Sequence, residues 1–569
     1  MMKLAIPFKG KIGQIILIFA GLVIEAYGLL MVPQYTGRII NEGIQYGNIN
    51  AIYSIGSMMI LMIAISAAGQ ILSSYFSAKF STSYARDLRE MTYENVMKFS
   101  NNELNRISRA SLITRITNDI NQIETIILLG LTIVVFAPIL GIGSIIKAFE
   151  IKTDLSWIIV IAFVVIMIFL FAIGAKVLPK FNKLQEYMDG INQNAREILI
   201  GMPVIKAFVR QDFEKEKFEK TNRKYLELNL NIYRNLLPMQ PLLILTLNIM
   251  VVAIVYFGSY EVTSGLILTG NLVSFIQYAT QIVVSFAMIG VFMIAIPRIV
   301  VSGRRVNEIL EIEPEIMDGD LSEIKDHPTI EFRNVSYIYP QSESESIRNI
   351  NLKLEAGKTI GIIGGTGSGK STIINMIPRF HDPTSGEILI DGENIKNFKL
   401  NSLRDKISLA PQKSLLMEGT VKSNMIVGKH DATDGEIEEA LGKVHVDFVE
   451  SLEDEVAQGG SNFSGGQKQR LSIARAIMRP YDFYLFDDSF SALDMNTERI
   501  IMDNLKSDLK ASSVVIVSQR ISTIKDADEI IVMDEGEIID RGNHDELYES
   551  CDIYREIFDT QSDVVGGGL

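Results

Sequence analysis

Six apolar stretches in the first 300 residues are the feature that most limits how this chain can fold. Each is long enough, at about 20 residues or more, for an α-helix to cross the roughly 30 Å hydrocarbon core of a bilayer. The predicted spans are, in chain order, Ile12–Val32, Ile52–Ser74, Ile123–Ala148, Leu155–Leu178, Leu236–Phe257 and Leu272–Pro297. Because a backbone inside a bilayer must satisfy its own hydrogen bonds, these stretches predict an all-α membrane domain.

Basic side chains between the spans predict the orientation of the chain in the membrane. The connection after the second span holds seven Lys and Arg and the connection Lys176–Arg234 holds twelve, whereas the other three loops hold only Arg38, Lys147 and Lys152. Lys and Arg accumulate on the cytoplasmic side of membrane proteins. We therefore expect a multi-pass protein of the cell membrane with both termini and both long connections in the cytoplasm.

The two long connections are themselves predicted to be helical. From Phe76 to Asp119 and from Lys180 to Arg234 they are rich in helix-forming residues, with apolar residues at helical spacing. Such helices would extend the spans into the cytoplasm and reach a soluble domain. The expected contact points are the two hairpin tips, near Ile107–Ile113 and Ala207–Glu214.

The net charge of the chain changes sign along its length. Residues 1–300 hold 26 Lys and Arg against 19 Asp and Glu, a net +7, and residues 301–569 hold 28 against 49, a net −21. A basic, apolar half followed by an acidic, polar half indicates a membrane domain joined to a cytosolic domain. The acidic half would repel a phosphodiester backbone, so no nucleic-acid partner is expected.

A glycine-rich loop in the second half predicts a phosphate-binding site. The loop consists of Gly364, Gly365, Thr366, Gly367, Ser368, Gly369, Lys370 and Ser371. It matches the pattern GxxxxGK[ST], follows a predicted strand at Thr359–Ile363 and precedes an apolar helix that includes Thr372. Backbone N–H groups of such a loop surround phosphate oxygens, Lys370 neutralises the terminal phosphates and Ser371 can bind magnesium. ATP and Mg²⁺ are therefore the expected cofactors.

A second motif, between residues 463 and 487, indicates which class of nucleotide-binding protein the chain resembles. It begins with Phe463, Ser464, Gly465, Gly466 and Gln467. The run KQRLSIARAIMRP follows, and then an apolar strand that ends in Asp487. In these residues the chain resembles the ABC transporter family, whose signature motif precedes the Walker B aspartate. The resemblance covers nearly the whole chain, and six spans followed by one nucleotide-binding domain resemble a half-transporter of the exporter type.

The resemblance implies roles for further residues. Tyr339 would stack on the adenine ring, and Gln412, the Q-loop glutamine, would join Ser371 and Asp487 at the magnesium ion. The implied D-loop consists of Ser491, Ala492, Leu493 and Asp494. In the family, ATP lies between the P-loop of one nucleotide-binding domain and the signature motif of another. The resemblance therefore implies a dimer.

Two positions depart from the family pattern. Asp488 stands where the family has its catalytic glutamate, and Gln519 stands where the family has its switch histidine. The missing methylene of Asp488 withdraws the carboxylate, and a displacement of about 1 Å can cost about a hundredfold in rate. The Gln519 amide can donate a hydrogen bond but cannot carry a positive charge. Beside intact phosphate-binding residues, the two changes predict a site that holds ATP but hydrolyses it slowly.

This combination is similar to one subunit of the bacterial heterodimeric multidrug ABC exporters, namely the subunit that carries the degenerate site. The implied partner is a non-identical half-transporter, and the implied cargo is a small hydrophobic or amphipathic molecule. Glu25, in the middle of the first span, is the candidate cavity residue for a cationic substrate, because charged groups at membrane depth usually face a bundle interior or a cavity.

The expected architecture is thus an all-α six-helix transmembrane domain with long cytosolic helical extensions, followed by an α/β P-loop domain. Its predicted limits are 1–312 for the transmembrane domain, 313–329 for a linker, 330–560 for the nucleotide-binding domain and 561–569 for a tail. Two alternatives stay open. One is a homodimeric lipid or peptide exporter that tolerates Asp488. The other is an ATP-gated channel or regulatory subunit, which the short linker and the few charges in the spans disfavour.

Overall fold

The computed structural model of the chain describes residues 10–151, 153–340 and 342–566, so the last three residues of the predicted tail lie outside the described residues. The chain divides into two compact units. The first contains residues up to Met97 and Arg109–Glu313, and the second contains Lys98–Ser108 and the residues from Pro314 onward. The segment Lys98–Ser108 therefore belongs to the same compact unit as the nucleotide-binding motifs.

In the described residues, the first half of the chain contains helices and connecting loops but no strand. Its helices are α1 (Ile12–Arg38), α2 (Ile49–Met97), α3 (Asn101–Arg106), α4 (Arg109–Thr114), α5 (Ile120–Leu129), α6 (Phe136–Ile151), α7 (Ser156–Ala207), α8 (Gln211–Leu236), α9 (Met239–Thr263) and α10 (Thr269–Glu311). All of them belong to the first unit except α3, which belongs to the second.

Six helical segments in the described residues are long and apolar enough to cross a bilayer, which confirms the six predicted spans. The segments are Ile12–Ile44, Ile49–Met97, Arg109–Ile151, Ser156–Ala207, Gln211–Thr263 and Thr269–Ile289. Helices α2 and α7 have 49 and 52 residues. At about 1.5 Å per residue each is more than twice as long as the roughly 30 Å hydrocarbon core, so each must extend well beyond the membrane.

Small residues allow α1 and α2 to pack closely. A Cβ atom on Gly69 would lie 2.6 Å from the backbone nitrogen of Glu25, and one on Gly21 would lie 2.8 Å from that of Ser73. Neither position has room for a larger side chain. Close approach through small residues is a common way for membrane helices to associate.

A proline in α1 is compensated by α10. Pro33 has no N–H group, so the carbonyl oxygen of Leu29 loses its partner within the helix. The side-chain amide of Gln281 donates to that oxygen at 3.2 Å. Tyr278 and Ser274 on the same face of α10 donate to the carbonyl oxygens of Leu30 and Pro33. The Gln281 amide thus replaces the helical partner that Pro33 removes from Leu29, which matters in a bilayer core because no water is available there.

The second unit contains strands and short helices. Its strands are β1 (Ile330–Tyr337), β2 (Ile347–Leu354), β3 (Thr359–Gly364), β4 (Ser385–Ile390), β5 (Glu393–Asn394), β6 (Ile407–Ala410), β7 (Gly419–Thr420), β8 (Glu455–Val456), β9 (Phe483–Asp487), β10 (Ser513–Val517), β11 (Glu529–Asp534) and β12 (Glu537–Gly542).

Its helices after residue 313 are α11 (Lys370–Met376), α12 (Leu400–Arg404), α13 (Val421–Met425), α14 (Asp434–Lys443), α15 (Gly465–Ala476), α16 (Met495–Asp508), α17 (Ile521–Ile524), α18 (His544–Ser550) and α19 (Asp552–Gly566). Together with the strands they confirm the expected α/β fold class of this half of the chain.

The main sheet has six strands in the order β12-β11-β3-β10-β9-β6. All neighbouring pairs are parallel except β11 and β12. Strands β9 and β10 are fully buried and almost continuously apolar, as expected for a parallel sheet that is covered on both faces. A smaller antiparallel sheet, in the order β2-β1-β4-β5, lies beside it. Because β3, β9 and β10 are neighbours and parallel, the residues that follow them meet at one edge of the sheet.

Candidate nucleotide-binding site

The glycine-rich loop joins the end of β3 to the start of α11, which is the strand–loop–helix context that the sequence predicts. Gly369, the residue before α11, has φ 95°, a left-handed conformation that favours glycine. A Cβ atom on Gly364 would lie 2.0 Å from the carbonyl oxygen of Met533. The loop therefore depends on glycine for both its conformation and its close contact with β11.

Lys370 folds back into this loop. Its ammonium group donates to the carbonyl oxygens of Gly364 and Gly365 at 2.9 and 2.6 Å, and to the hydroxyl of Ser368 at 3.2 Å. All three acceptors are neutral. Burial lowers the pKa of Lys370, whereas the carboxylates of Asp488 and Asp487 favour its charged form. The result is a buried ammonium group whose charge is available to an anion that enters the loop.

Ser371 and Asp487 meet across the sheet. The hydroxyl of Ser371 donates to Oδ1 of Asp487 at 2.9 Å. Asp487, the last residue of β9, is only 6% exposed. Burial raises its pKa, the neighbouring carboxylate of Asp488 acts in the same direction, and the hydrogen bond from Ser371 opposes the shift. The structure thus places two hard oxygen ligands side by side at the position predicted for magnesium.

Asp488 directs its side chain towards the same place. Its φ angle is 49°, a left-handed conformation that Asp tolerates better than most side chains do. Its N–H donates to the carbonyl oxygen of Val517 at 2.9 Å, which fixes the turn after β9 against β10. Its Oδ2 lies 3.5 Å from Nε2 of Gln412. Asp488 and Gln412 are therefore neighbours.

These residues enclose a cavity of about 220 Å³. Its lining consists of Ser346, Thr366, Gly367, Gly369, Lys370, Ser371, Thr372, Gln412, Asp487, Asp488, Val517 and Gln519. The structure thus brings most of the predicted phosphate, magnesium, Q-loop and switch residues to one cavity. Ser346 is a lining residue that the sequence reasoning missed, because it lies in a polar loop without a recognisable motif.

Tyr339 lies near the phosphate loop but is not part of this lining. Its hydroxyl and the hydroxyl of Ser346 each share a hydrogen bond with Thr372 Oγ1, at 3.2 and 3.1 Å. Its ring packs edge-on against Tyr337, with ring centroids 4.9 Å apart. The predicted adenine-stacking residue is therefore tied to the helix that follows the phosphate loop.

The switch position is exposed at the mouth of the cavity, and the residue after it holds the D-loop. Arg520 donates to the carbonyl oxygens of Ser491 and Leu493 at 2.8 and 3.0 Å, and it forms a 3.2 Å ion pair with Glu498. Gln519 precedes it and lines the cavity. The sequence reasoning missed Arg520, although it directly follows the switch residue in the sequence.

A second side chain, that of Gln469, also forms hydrogen bonds with the D-loop. Gln469, on α15 just after the signature motif, is buried. Its Nε2 donates to the hydroxyl of Ser491 at 3.1 Å, and its Oε1 accepts from the N–H of Ala492 at 2.8 Å. Asp494 ends the D-loop as the N-cap of α16, and the hydrogen bond from the Thr497 N–H lowers its pKa. The D-loop is thus fixed on the signature helix and on Arg520.

The signature motif begins α15. Ser464 is the N-cap residue: its hydroxyl accepts from the N–H of Gln467, and the Gln467 side chain accepts from the N–H of Ser464. This reciprocal pair is a capping box. A Cβ atom on Gly466 would lie 3.0 Å from the carbonyl oxygen of Ala492. Ser464 and Gly465 are exposed, and no signature residue lines the cavity described above.

The hairpin tip that belongs to the second unit is joined to the start of the linker. Ser100 caps α3 in a capping box with Glu103. The other carboxylate oxygen of Glu103 accepts from the N–H of Glu315 at 2.7 Å. Burial opposes the ionisation of Glu103, but these hydrogen bonds prevail and its pKa lies below the usual range. Asn102 bonds to Glu315 at 2.9 Å and lies 3.4 Å from the hydroxyl of Tyr337.

This contact corrects the predicted position of the first hairpin tip. The sequence reasoning placed the tip near Ile107–Ile113, whereas the segment that shares a compact unit with the nucleotide-binding motifs is Lys98–Ser108, which overlaps the prediction only at Ile107 and Ser108. The Ser-x-x-Glu spacing of Ser100 and Glu103 marks the start of α3 and could have placed the tip correctly.

Glu25, the candidate substrate residue, lies in the contact between α1 and α2. Its side chain is buried, and its carbonyl oxygen accepts from the Ser66 hydroxyl at 3.0 Å. It lies in the first unit, so it is not one of the residues that line the nucleotide cavity.

Comparisons with known proteins match both halves of the chain. A family model described as "ABC transporter transmembrane region" matches residues 15–286, and one described as "ABC transporter" matches residues 347–491. A bacterial Atm1-family ABC exporter with ATP bound has a similar structure, with a TM-score of 0.80 and 21% identity over 97% of this chain and 99% of that chain. The chain therefore has the fold of this exporter.

Curated relatives extend over nearly the full length. "Uncharacterized ABC transporter ATP-binding protein YfiB" of Bacillus subtilis is 33% identical over 96% of this chain and 95% of its own. "Probable multidrug resistance ABC transporter ATP-binding/permease protein YheI", also of Bacillus subtilis, is 32% identical over 79% of this chain and 78% of its own. The ATP-binding domain implies ATP binding and ATPase activity in a transporter. The chain thus belongs to the ABC transporter family, as a multi-pass membrane protein with the exporter fold.

Proposed function

We propose that this chain is one half of a heterodimeric ATP-driven exporter and that its own P-loop builds the slow ATP site of the pair. The observation that carries the proposal is the pairing of Asp488 and Gln519 in a cavity whose phosphate-binding residues are otherwise assembled. A site with an intact Lys370 and Ser371 can hold ATP. A shortened acid and a neutral switch side chain make the same site poor at hydrolysis.

The residues of the cavity fit MgATP. The loop from Gly364 to Gly369 precedes the N-terminus of α11, where backbone N–H groups bind phosphate, and the Lys370 ammonium has only neutral acceptors. Ser371 and Asp487 would hold the magnesium ion, with Gln412 beside them. The ion would neutralise charge on the phosphate oxygens. Tyr339, tied to Thr372, would lie against the adenine ring.

The exposed signature motif supports the need for a second subunit. ABC exporters act as dimers within a membrane, and no signature residue lines this chain's own cavity. We propose that Ser464, Gly465, Gly466 and Gln467 complete the hydrolytic site of a non-identical partner, which would supply the catalytic glutamate and histidine. The capping box presents the Ser464 hydroxyl and the first N–H groups of α15 to a phosphate, which is the typical anion site of a helix N-terminus.

In this proposal ATP binding draws the two nucleotide-binding domains together, and hydrolysis at the partner's site separates them. The long helices α2 and α7 would transmit that movement to the spans, so that a cargo path between the spans would open alternately to either side of the membrane. The basic connections support an orientation with both termini and the nucleotide-binding domain in the cytoplasm.

The proposed cargo is a small hydrophobic or amphipathic compound. The support for this is the apolar character of the spans and the multidrug designation of the relative YheI. Glu25, buried on α1 in the first span, would contribute negative charge within the membrane domain if the cargo is cationic.

The test is the ATPase activity of the purified chain alone and together with a second half-transporter that has Glu and His at the two positions. We expect little hydrolysis by the chain alone and robust hydrolysis by the pair. Robust Mg²⁺-dependent hydrolysis by the chain alone would refute the slow site and favour a homodimeric exporter. ATP-dependent ion conductance without cargo transport would indicate a channel instead.

A further inference from the structure

The C-terminal helix α19 contacts the segment that follows β10. Nε2 of Gln561, on α19, donates to the carbonyl oxygen of Gln519 at 2.7 Å. Oε1 of the same side chain accepts from the backbone N–H of Ile521 at 3.0 Å. One amide side chain thus holds the backbone on both sides of Arg520.

The contact with Ile521 replaces a missing helix cap. Ile521 is the first residue of α17, and the first N–H groups of a helix have no partner within it. Arg520 occupies the N-cap position but makes no capping hydrogen bond with its side chain. That side chain extends to the D-loop carbonyl oxygens of Ser491 and Leu493 instead. Gln561 therefore supplies the cap from 40 residues further along the chain.

Helix α19 packs against the core of the second unit, so the backbone at Gln561 is held in place. Tyr554 is fully buried, and its hydroxyl shares a 2.8 Å hydrogen bond with Nδ1 of His544. Ile553, Ile557 and Phe558 pack against the core cluster that includes Ile521 and Ile524 of α17. The apolar face of α19 and the Gln561 amide therefore act on the same short helix.

We propose that Gln561 is a positioning residue for the nucleotide site: through it, the C-terminal helix fixes the backbone that carries Gln519 into the cavity and Arg520 onto the D-loop. Loss of the amide frees one carbonyl oxygen and one N–H of this segment. A displacement of α19 would have the same effect, so the C-terminal helix is a place from which the activity of the pair can be changed. The expected effect on ATP hydrolysis rests on the proposed function, whereas the hydrogen bonds of Gln561 do not.

The first test is hydrogen–deuterium exchange of the full chain in detergent. We compare Gln561→Ala with Thr560→Ala, a change at the neighbouring exposed residue, whose hydroxyl bonds only within α19. We expect the amides of residues 519–524 to exchange about tenfold faster in Gln561→Ala than in the control, the loss expected for one or two hydrogen bonds. The buried strand β10 should be unchanged. Equal exchange in the two variants would refute the proposal.

A second variant separates the two hydrogen bonds. Gln561→Glu keeps an acceptor for the Ile521 N–H, but at neutral pH it has no donor for the Gln519 carbonyl oxygen. We expect protection of the Ile521 amide to be retained in Gln561→Glu and lost in Gln561→Ala. Loss of that protection in both variants would show that the capping contact is not made as proposed.

The functional measurement uses the assembled pair. With the partner's glutamate removed, so that only this chain's own site turns over, both Gln561 variants should lower the residual kcat several-fold and leave KM for ATP within about twofold of the value without the Gln561 change. The reason is that the phosphate loop is untouched and only the segment that carries Gln519 is misplaced. A change in KM alone would contradict a positioning role. If the wild-type chain fails to bind ATP, the proposed function fails, while the exchange result still decides whether Gln561 orders the segment.

Discussion

The Ser371 hydroxyl donates a 2.9 Å hydrogen bond to the carboxylate of Asp487. The bond joins the helix after β3 to the end of β9 across β10, which lies between these strands. The bond therefore shows that this edge of the sheet brings two candidate magnesium ligands into direct contact. It also partly satisfies a buried carboxylate whose pKa is raised by burial.

Asp487→Asn should stabilise the chain at neutral pH in the absence of nucleotide and Mg²⁺. Because the pKa of Asp487 is higher in the folded than in the unfolded state, the folded state binds more protons between the two values, and stability falls as the pH rises through them. Asn is neutral and can still accept from Ser371. The gain in the thermal unfolding midpoint should shrink as the pH is lowered through the range in which Asp487 takes up its proton.

Asp503→Asn, at an exposed position on α16, is the matched control and should leave the thermal unfolding midpoint nearly unchanged. The same Asp487 variant should bind MgATP more weakly, because it loses a charged ligand for the metal. A neutral-pH stability below that of the wild-type chain would mean that the buried charge is better compensated than the structure indicates.

Lys370→Ala should weaken ATP binding by at least about tenfold, the effect of losing one charge-assisted contact to a phosphate. The ammonium group is held inside the loop by three neutral oxygens, so its removal takes away both the positive charge and three hydrogen bonds within the loop. The measurement is equilibrium binding of ATP to the purified chain. Lys413→Ala, an exposed lysine next to Gln412, serves as the control and should bind ATP with nearly wild-type affinity.

Local motifs predicted most of the residues that line the cavity, because each motif is a short run of residues directly after a strand or at the start of a helix. The loop from Gly364 to Ser371 can be placed from its own glycines and from the strand before it. Asp487, Asp488 and Gln519 each follow an apolar run, and parallel strands bring such ends together. The six spans could be predicted for the same reason, since length and hydropathy alone determine them.

Contacts between distant positions could not be predicted in this way. Gln469 reaches Ser491, and Gln561 reaches Gln519, through hydrogen bonds whose partners are 22 and 42 residues apart. A polar residue on a helix gives no sign of which loop it will contact, because helical periodicity reveals only the buried face. Arg520 was missed for another reason. Its side chain donates to backbone carbonyl oxygens, and because every residue has such an oxygen, the contact leaves no pattern in the sequence.

Ser464→Ala should lower the stability of the nucleotide-binding domain by about 1 kcal/mol, the usual cost of losing an N-cap side chain. The Ser464 hydroxyl caps α15, and the alanine variant leaves the N–H of Gln467 without this partner. In the proposed pair, the same variant should also reduce hydrolysis at the partner's site. Ser461→Ala, an exposed serine just before the motif, is the control for both measurements, which are thermal unfolding and ATPase activity. Unaltered ATPase activity in the Ser464 variant would count against the signature acting on the partner.

Asp488→Asn should reduce the ATPase activity of the assembled pair by less than about twofold. Removal of the partner's glutamate should instead cost about a hundredfold or more, because in the proposed pair only that carboxylate reaches the attacking water.

The ATPase activity that remains without the partner's glutamate then tests this chain's own site. With the partner's glutamate removed, Asp488→Glu should raise the residual hydrolysis, since the longer side chain extends the carboxylate further into the cavity. The left-handed backbone at Asp488, with φ 49°, accepts Glu less readily than Asp, so a small loss of stability should accompany the gain. If Asp488→Asn abolished turnover of the pair as completely as the partner substitution does, Asp488 would be a working catalytic base and the two sites would be equivalent.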